Sequence, residues 1–284
     1  MQGTTVRRVG LVLVATTLTG VTACTSQDSS DGPGRENRAA HGPALAALRS
    51  AERATESARS ARVESTTTMG SLMSMTADGS LGWSDGITGT LTIRYTGGTV
   101  ADTMRRLGTT SMEARYRPEA YYARLGEKFA EQTGGKRWIR YAYEDLDALA
   151  GGSGAHLGDQ MRSTTPNQSV KLLLSSGDVR KVGEETVRGR SATHWSGTVA
   201  AADVTDAALR KQLTEAGVTT ETVDIWIDRR NLLVKKVEKA RTATGRMTQT
   251  AHYADYGAPV RAARPPASDT GDFEDLVRKQ SGTP

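Results

Sequence analysis

The sequence has almost no cysteine and few aromatic residues. It contains one cysteine among 284 residues, so no disulfide can form within the chain. Aromatic residues make up only 5% of the total, and the core must therefore be built mainly from Leu, Val, Met and Ala. A chain of this length can bury enough apolar surface to be stable without cross-links.

A strong excess of charge of one sign is also lacking. The 37 Lys and Arg stand against 32 Asp and Glu, which gives a formal net charge of +5, and the two signs are interspersed. The sequence therefore has no basic stripe of the kind that nucleic acids bind, and we predict no nucleic-acid partner. A content of 37% hydrophobic and 24% charged residues is typical of a folded globular protein.

Motifs that carry catalysis are absent as well. The sequence contains no Gly-x-Ser-x-Gly elbow, no His-Glu-x-x-His helix and no phosphate-binding loop. The histidines are scattered, and a catalytic pair of His156 with Asp159 in a loop has no motif to support it. We therefore predict a protein that is not an enzyme, with no catalytic residue, no metal site and no cofactor. The four histidines are His41, His156, His194 and His252.

The N-terminus carries the clearest pattern that is present. Arg7 and Arg8 precede an almost uninterrupted apolar run from Val9 to Leu18, and small residues follow. This order is typical of a secretory signal. The run is too short to span a bilayer, which needs about 20 apolar residues. We predict that residues 1–23 are a signal peptide.

The end of this signal resembles the lipobox of bacterial lipoproteins. In that motif, here Val21-Thr22-Ala23-Cys24, the cysteine receives a diacylglyceryl group and becomes the mature N-terminus. Ordinary signal cleavage after Ala23 is the alternative. The resemblance implies lipidation of Cys24, so that the acylated cysteine binds the membrane and the protein lies on the extracytoplasmic face of the cell membrane. Two or more acyl chains hold a protein firmly at a membrane, where a single chain does not.

Composition divides the rest of the chain. Residues 24–43 are rich in Ser, Asp, Gly and Pro, and we predict that they form the lipidated N-terminus and a flexible tether. Residues 44–264 are predicted to be a single domain, and residues 265–284 a C-terminal tail or short helix. The Gly-rich segment 151–154 separates two halves of the domain.

Most of this domain alternates between apolar and polar residues, which predicts antiparallel strands joined by tight turns. Residues 67–75 alternate throughout and predict one long strand, while Asp78-Gly79 predicts a turn. Helical spacing predicts three helices that can cover one face of the sheet, over residues 44–61, 166–176 and 204–216.

Two of the predicted hairpins carry a resemblance to a known family. The segments Val182-Gly183-Glu184-Glu185 to Thr193-His194-Trp195, and Val223-Asp224-Ile225-Trp226-Ile227-Asp228 to Lys236, resemble hairpins of the LppX/LprG group of actinobacterial lipoproteins. That group is more distantly similar to the LolA lipoprotein carriers. The resemblance implies an α+β fold, a curved antiparallel β half-barrel covered by helices, with an apolar cavity between sheet and helices that holds acyl chains.

The residues themselves give partial support for such a cavity. Met69, Met73 and Met75 share one predicted face, and methionine adapts to permissive apolar surfaces. A plain core role and a copper-binding Met cluster are the alternatives, and the second lacks a nearby His or Cys. The predicted cavity residues are Met69, Met73, Met75, Leu91, Ile93, Leu173, Val223, Ile225 and Ile227.

These patterns favour a non-enzymatic, membrane-anchored exported lipoprotein that binds or carries a lipid or another hydrophobic ligand. The alternative is an envelope sensor or protein-interaction lipoprotein with a solid core and a protein partner in the envelope. The two hypotheses differ in one respect that a structure addresses, the presence of space inside the domain.

Overall fold

Segments in which apolar and polar residues alternate form most of the fold. The computed structural model describes residues 33–145, 165–242 and 244–281, and within them twelve strands form one sheet. Its strands run in the order β12-β6-β5-β4-β3-β2-β1-β11-β10-β9-β8-β7. The strands are β1 (Ser60–Met69), β2 (Met73–Gly82), β3 (Thr88–Gly97), β4 (Ser111–Arg117), β5 (Ala120–Arg124), β6 (Trp138–Ala142), β7 (Arg180–Val187), β8 (Arg190–Ala200), β9 (Thr220–Asp228), β10 (Leu233–Thr242), β11 (Gly245–Ala254) and β12 (Thr270–Asp272).

Neighbouring strands are antiparallel except at one edge. Strand β1 pairs with β2 on one side and with β11 on the other, which joins the two runs of hairpins into a continuous sheet. Strand β12 pairs with β6 in parallel. The outermost strands, β7 and β12, do not pair with each other, so the curved sheet stays open. The predicted α+β half-barrel is confirmed in this form.

In the described part of the chain, helices lie before, between and after the strands. The three predicted covering helices are all present, and α2, α3 and the short strand β12 were not predicted. The helices are α1 (Pro33–Ser57), α2 (Gly98–Arg106), α3 (Glu127–Gln132), α4 (Asn167–Leu174), α5 (Ala207–Glu215) and α6 (Phe273–Ser281).

The chain separates into two compact units, Met1–Ala39 and Ala40–Pro284. In the first, the described residues 33–39 are helical, so helix α1 begins before the predicted Ala44 and includes part of the predicted tether. The second unit contains the whole sheet. No helix in the described part of the chain is long and apolar enough to cross a membrane. Cys24 and the Gly-rich segment 151–154 lie outside the described residues.

Two predictions in the first hairpin are wrong. Residues 67–75 form the end of β1, a turn at residues 70–72 and the start of β2, where the sequence predicted one strand. Asp78-Gly79 lies inside β2, not in a turn, and Gly79 faces Leu91 of β3. A Cβ atom at Gly79 would lie 2.0 Å from the Thr90 carbonyl oxygen, so this glycine permits a close approach of two strand backbones.

The main core lies between the sheet and helices α1, α4 and α5. Leu48 of α1, Leu173 of α4 and Leu209 of α5 are buried there against residues of the sheet such as Ile225. The Leu233 backbone N–H donates to Thr55 Oγ1 of α1 at 3.2 Å. These contacts place the helices over one face of the sheet, which we call the inner face.

Candidate functional site

A cavity of about 250 Å³ lies between six adjacent strands, β3-β2-β1-β11-β10-β9, and the helices α4 and α5. We call it the central cavity. Its sheet residues are Val63, Ser65, Leu81, Leu91, Glu221, Lys236, Glu238, Met247, Gln249, Ala251 and Tyr253, and on the helical side it is lined by Thr165, Pro166, Gln168, Leu172, Leu209, Gln212, Leu213, Ala216 and Val218.

Strand register explains why these sheet residues meet. Val63 of β1 faces Tyr253 of β11, and Ser65 faces Ala251, so alternate residues of both strands point to the same face. On β2 the same register carries Leu81 to this face, opposite Ala61. On the helical side, Asp206 caps the start of helix α5, its carboxylate accepting from the Ala208 and Leu209 amides at 3.0 and 3.1 Å.

The wall formed by β9 and β10 is charged. Glu221, Lys236 and Glu238 all point to the inner face, since Lys236 faces Ala251 and Glu238 faces Gln249 across β11. The Lys236 ammonium donates to Glu238 Oε2 at 2.7 Å, and the two side chains are only 12% and 8% exposed. Burial alone would lower the pKa of Lys236, but the adjacent Glu238 carboxylate raises it above its ordinary value of 10.5. The lysine is therefore held as a cation inside the fold.

Glu221 differs from its two neighbours because none of the described residues pairs with it. It is 3% exposed, and no residue that the structure describes hydrogen-bonds or ion-pairs with its carboxyl group. Burial first, and then the nearby Glu238 charge, raise the pKa of Glu221 from 4.5 to about 8. Near neutral pH this carboxyl group is mostly protonated, so it can both donate and accept a hydrogen bond.

A second cavity, of about 300 Å³, lies on the inner face of strands β3 to β6, next to helices α2 and α3. We call it the tyrosine cavity. Burial raises the pKa of its Tyr141 to about 12 and the pKa of Tyr95 above its ordinary value of 10. Its lining is mainly apolar, with Tyr95, Met104, Leu107, Thr109, Met112, Tyr121, Ala123, Leu125, Phe129 and Tyr141. Of these two cavities, the central cavity is the better candidate site, because charged groups converge within its apolar wall.

The predicted cavity residues of the strands lie on the inner face of the sheet, and Leu173 lies in helix α4, but most of them do not line the central cavity. Leu91 lines it. Met69 and Met73 face each other across the first hairpin and are half-buried, and Met75 packs against the main core. The remaining five are buried in that core: Ile93, Leu173, Val223, Ile225 and Ile227. Which residues contact a ligand stays a prediction.

Sequence reasoning missed the charged wall, although β9 contained a signal. Glu221 stands on the same side of the alternation as Val223 and Ile225, which places an acid on the apolar face. In β10 the signal is weaker, because the register with β9 shifts between Leu233 and Lys235 and interrupts the alternation. A period-two reading that allowed for this bulge would have found all three residues.

The outer face carries a separate cluster. The ring nitrogens of His194 lie 2.9 Å from Glu185 Oε1 and 2.9 Å from Asp224 Oδ1, and Trp226 stacks on the imidazole. The described residues contain no group of three or more His, Cys, Asp or Glu placed to hold a metal ion. The other strand histidine, His252, also lies on the outer face, next to Glu64 across β1.

The chain matches no described protein-family profile. It is 56% identical to a candidate lipoprotein of Streptomyces coelicolor, over an alignment that covers 99% of each chain. It is 49% identical to a 31.2 kDa protein of Streptomyces griseus encoded in the rplA–rplJ intergenic region, over 84% of this chain and 82% of the relative.

The crystal structure of the lipoprotein LppX of Mycobacterium tuberculosis is similar to this chain. The TM-score is 0.50 at 17% identity, and the alignment covers 78% of this chain and 98% of that one. At this identity the likeness concerns the fold. It confirms the LppX-like architecture that two hairpins of the sequence predicted.

Proposed function

The chain belongs to the family of actinobacterial lipoproteins that includes the Streptomyces coelicolor relative, and on that premise we propose that it is exported, anchored by an acylated Cys24, and binds the acyl chain of a lipid or another hydrophobic molecule. The ligand would occupy the central cavity, and the role would be non-enzymatic. One observation carries this proposal. The inner face holds space with apolar walls between the sheet and helices α4 and α5, where a solid core would leave none.

The size of the cavity limits what it can hold. Small-molecule sites commonly measure roughly 300–1,000 Å³, and the central cavity, at about 250 Å³, lies below that range. We therefore expect a ligand that places a single chain in the cavity, with the rest of the molecule outside it. Val63, Leu81, Leu91 and Leu213 supply the apolar contact surface.

A cavity-filling variant tests this proposal. Ala251 lines the central cavity on β11 and is 2% exposed, so Ala251→Phe would fill the space. Ala254 lies on the same strand but faces the opposite side of the sheet, because it is three positions after Ala251 and neighbouring residues of a strand alternate between its faces. Ala254→Phe is therefore a matched control with the same added volume on the outer face.

The measurement is uptake of a fluorescent fatty-acyl probe by the delipidated chain, with native mass spectrometry giving the stoichiometry. We expect the unsubstituted chain and Ala254→Phe to bind one probe, and Ala251→Phe to lose most of this binding while its thermal unfolding stays cooperative. No uptake by the unsubstituted chain, or equal uptake by all three, would refute the ligand-binding role. A folded chain that takes up no probe would favour the alternative, an envelope lipoprotein that binds a protein partner.

The anchor needs its own experiment because Cys24 lies outside the described residues. Cys24→Ser removes the thiol that would carry the diacylglyceryl group. We expect the unsubstituted protein to partition into the membrane fraction with an acyl mass on its N-terminus, and the variant to lose that mass. A variant that keeps the membrane partition and the mass of the unsubstituted protein would show that lipidation is not what holds it there. Ser26→Ala is the control.

A further inference from the structure

Three ionisable side chains interrupt the apolar wall of the central cavity. Lys236 and Glu238 form an ion pair across 2.7 Å, so their charges balance each other. Glu221 stands beside them without a hydrogen bond from any part of the chain that the structure describes. A buried carboxyl group without a partner is costly unless something supplies the missing hydrogen bonds.

The surroundings of Glu221 do not offer that partner from within the sheet. On the neighbouring strand β10 its register partner is Ala240, which has no polar side chain. Lys236 is already committed to Glu238, and Gln249 donates to Thr67 Oγ1 at 3.4 Å. Glu221 nevertheless lines the cavity, so a molecule inside it can reach this carboxyl group.

We propose that the ligand of the central cavity is an amphiphile whose polar end carries an uncharged hydroxyl or a cationic amine, and that this group donates a hydrogen bond to Glu221. The inference rests on the proposed function and names the class of its ligand. Both groups offer the donor that Glu221 lacks. An ammonium would also balance the charge of an ionised Glu221, since the fully ionised cluster contains two carboxylates and one ammonium.

An anionic polar end does not fit this wall. A carboxylate or phosphate that binds Lys236 would lie beside the Glu238 carboxylate that already pairs with this lysine, and one that binds next to an ionised Glu221 would meet a second carboxylate. Either arrangement places like charges together at low dielectric, where their repulsion is large. We therefore expect discrimination against free fatty acids.

Three amphiphiles with the same acyl chain test the class: a monoacylglycerol, an alkylamine and a fatty acid. Each is titrated against an apolar fluorescent probe bound to the full chain carrying Cys24→Ser. We expect at least one of the two donors to displace the probe at a concentration about tenfold lower than the fatty acid requires, which corresponds to about 1.4 kcal/mol. Glu221→Leu should reduce this preference to within about twofold.

Two further variants test whether the preference for a donor depends on the hydrogen bond or on the charge of Glu221, and whether it depends on the cavity at all. Glu221→Gln keeps the hydrogen-bonding shape but cannot ionise, so it should keep a preference for the monoacylglycerol and lose a preference for the alkylamine. Glu64→Leu makes the same change as Glu221→Leu on the outer face, next to Arg188 and away from the cavity, and should leave the ranking of the three amphiphiles as it is.

The outcomes are distinguishable. If the apolar probe binds but the fatty acid competes as well as the donors, or if Glu221→Leu keeps the full preference, the inference about the polar end is overturned and the proposed ligand binding stands. If the probe does not bind at all, both are overturned. Preference for a donor that depends on Glu221 supports the inference.

Discussion

The imidazole of His194 stacks on the indole of Trp226, with ring centroids 4.1 Å apart and an interplanar angle of 15°. The Lys235 ammonium, on the strand at the other side of β9, lies 3.9 Å from the same indole centroid. Together they form a row across β8, β9 and β10 on the outer face. The indole N–H donates to Glu185 Oε2 at 2.8 Å, so the row also reaches the edge strand β7. This row holds the strands that carry the charged wall on their opposite face.

Substitutions at Trp226 should measure how much that row contributes to the free energy of unfolding. Trp226 is 5% exposed, so Trp226→Ala should lower the free energy of unfolding by about 3–5 kcal/mol. Trp226→Phe keeps a stacked ring but loses the bond to the half-exposed Glu185, and we expect a loss of about 1 kcal/mol. Urea denaturation compares the two. Equal losses for Ala and Phe would mean that the hydrogen bond, and not the ring, dominates.

The buried pair Lys236–Glu238 predicts a non-additive result. Lys236→Met leaves Glu238 buried without a counter-ion and should cost about 3–5 kcal/mol of unfolding free energy. Glu238→Leu should lower the free energy of unfolding by a similar amount, because it leaves the Lys236 ammonium buried without its counter-ion. The double variant removes both charges, and we expect its stability to lie near that of the unsubstituted chain.

Denaturant unfolding of all four chains forms the double-mutant cycle for this pair. A double variant that loses the sum of the two single effects would contradict the account, because it would show that the two side chains act independently.

Glu221 predicts a dependence of stability on pH. Its pKa in the folded state, about 8, lies above the ordinary value of 4.5, so between these values the folded state holds a proton that the unfolded chain has released. The stabilisation is complete below about pH 4.5 and is lost as the pH rises through 8. Relative to Glu221→Gln, the unsubstituted chain should lose stability between pH 5 and 8, with a slope of up to about 1.4 kcal/mol per pH unit.

Thermal or urea unfolding at several pH values, with both chains in the same buffers, measures this difference. A difference that does not change with pH, or one that favours the unsubstituted chain at higher pH, would show that the folded state does not protonate Glu221.

The close approach of β2 and β3 predicts that an alanine substitution strongly lowers the stability at one glycine and hardly changes it at another. A Cβ atom at Gly89 would lie 2.1 Å from the Ser80 carbonyl oxygen, so Gly89→Ala must displace backbone and should cost about 1–3 kcal/mol. At Gly82, on the same strand pair, the nearest atoms are 3.5 Å from the added Cβ. Gly82→Ala should therefore change the unfolding midpoint little. Equal effects would argue against the close approach.

Much of the sheet could be predicted from the sequence, because its hairpins alternate regularly between clear turn residues. The pairing of Arg117 with Ala120 around Pro118-Glu119 is one such hairpin. The first hairpin could not be predicted, because the alternation of its residues continues through the turn. Met69 pairs with Met73 across that turn, where the sequence predicted one uninterrupted strand. Local patterns specify which faces residues occupy more reliably than where the chain reverses.

Contacts between distant segments were beyond the reach of local patterns. Strand β12 exists because Thr270 pairs with Trp138, and Arg140 reaches Asp272 at 2.7 Å, across more than a hundred residues of sequence. The central cavity depends in the same way on strands and helices that meet only in the folded chain. The candidate ligand residues of the strands lie on the inner face of the sheet, but among all the candidates only Leu91 lines the central cavity.

The most direct test of the central claim is to locate a bound acyl chain. A fatty-acyl probe with a photoreactive group at the end of its chain is bound to the delipidated protein, irradiated, and mapped by peptide mass spectrometry. The account predicts saturable labelling at residues that line the central cavity, such as Leu81, Leu91 and Leu213, and less of it in Ala251→Phe. Labelling confined to the outer face or to the tyrosine cavity, or labelling that Ala251→Phe does not reduce, would contradict it.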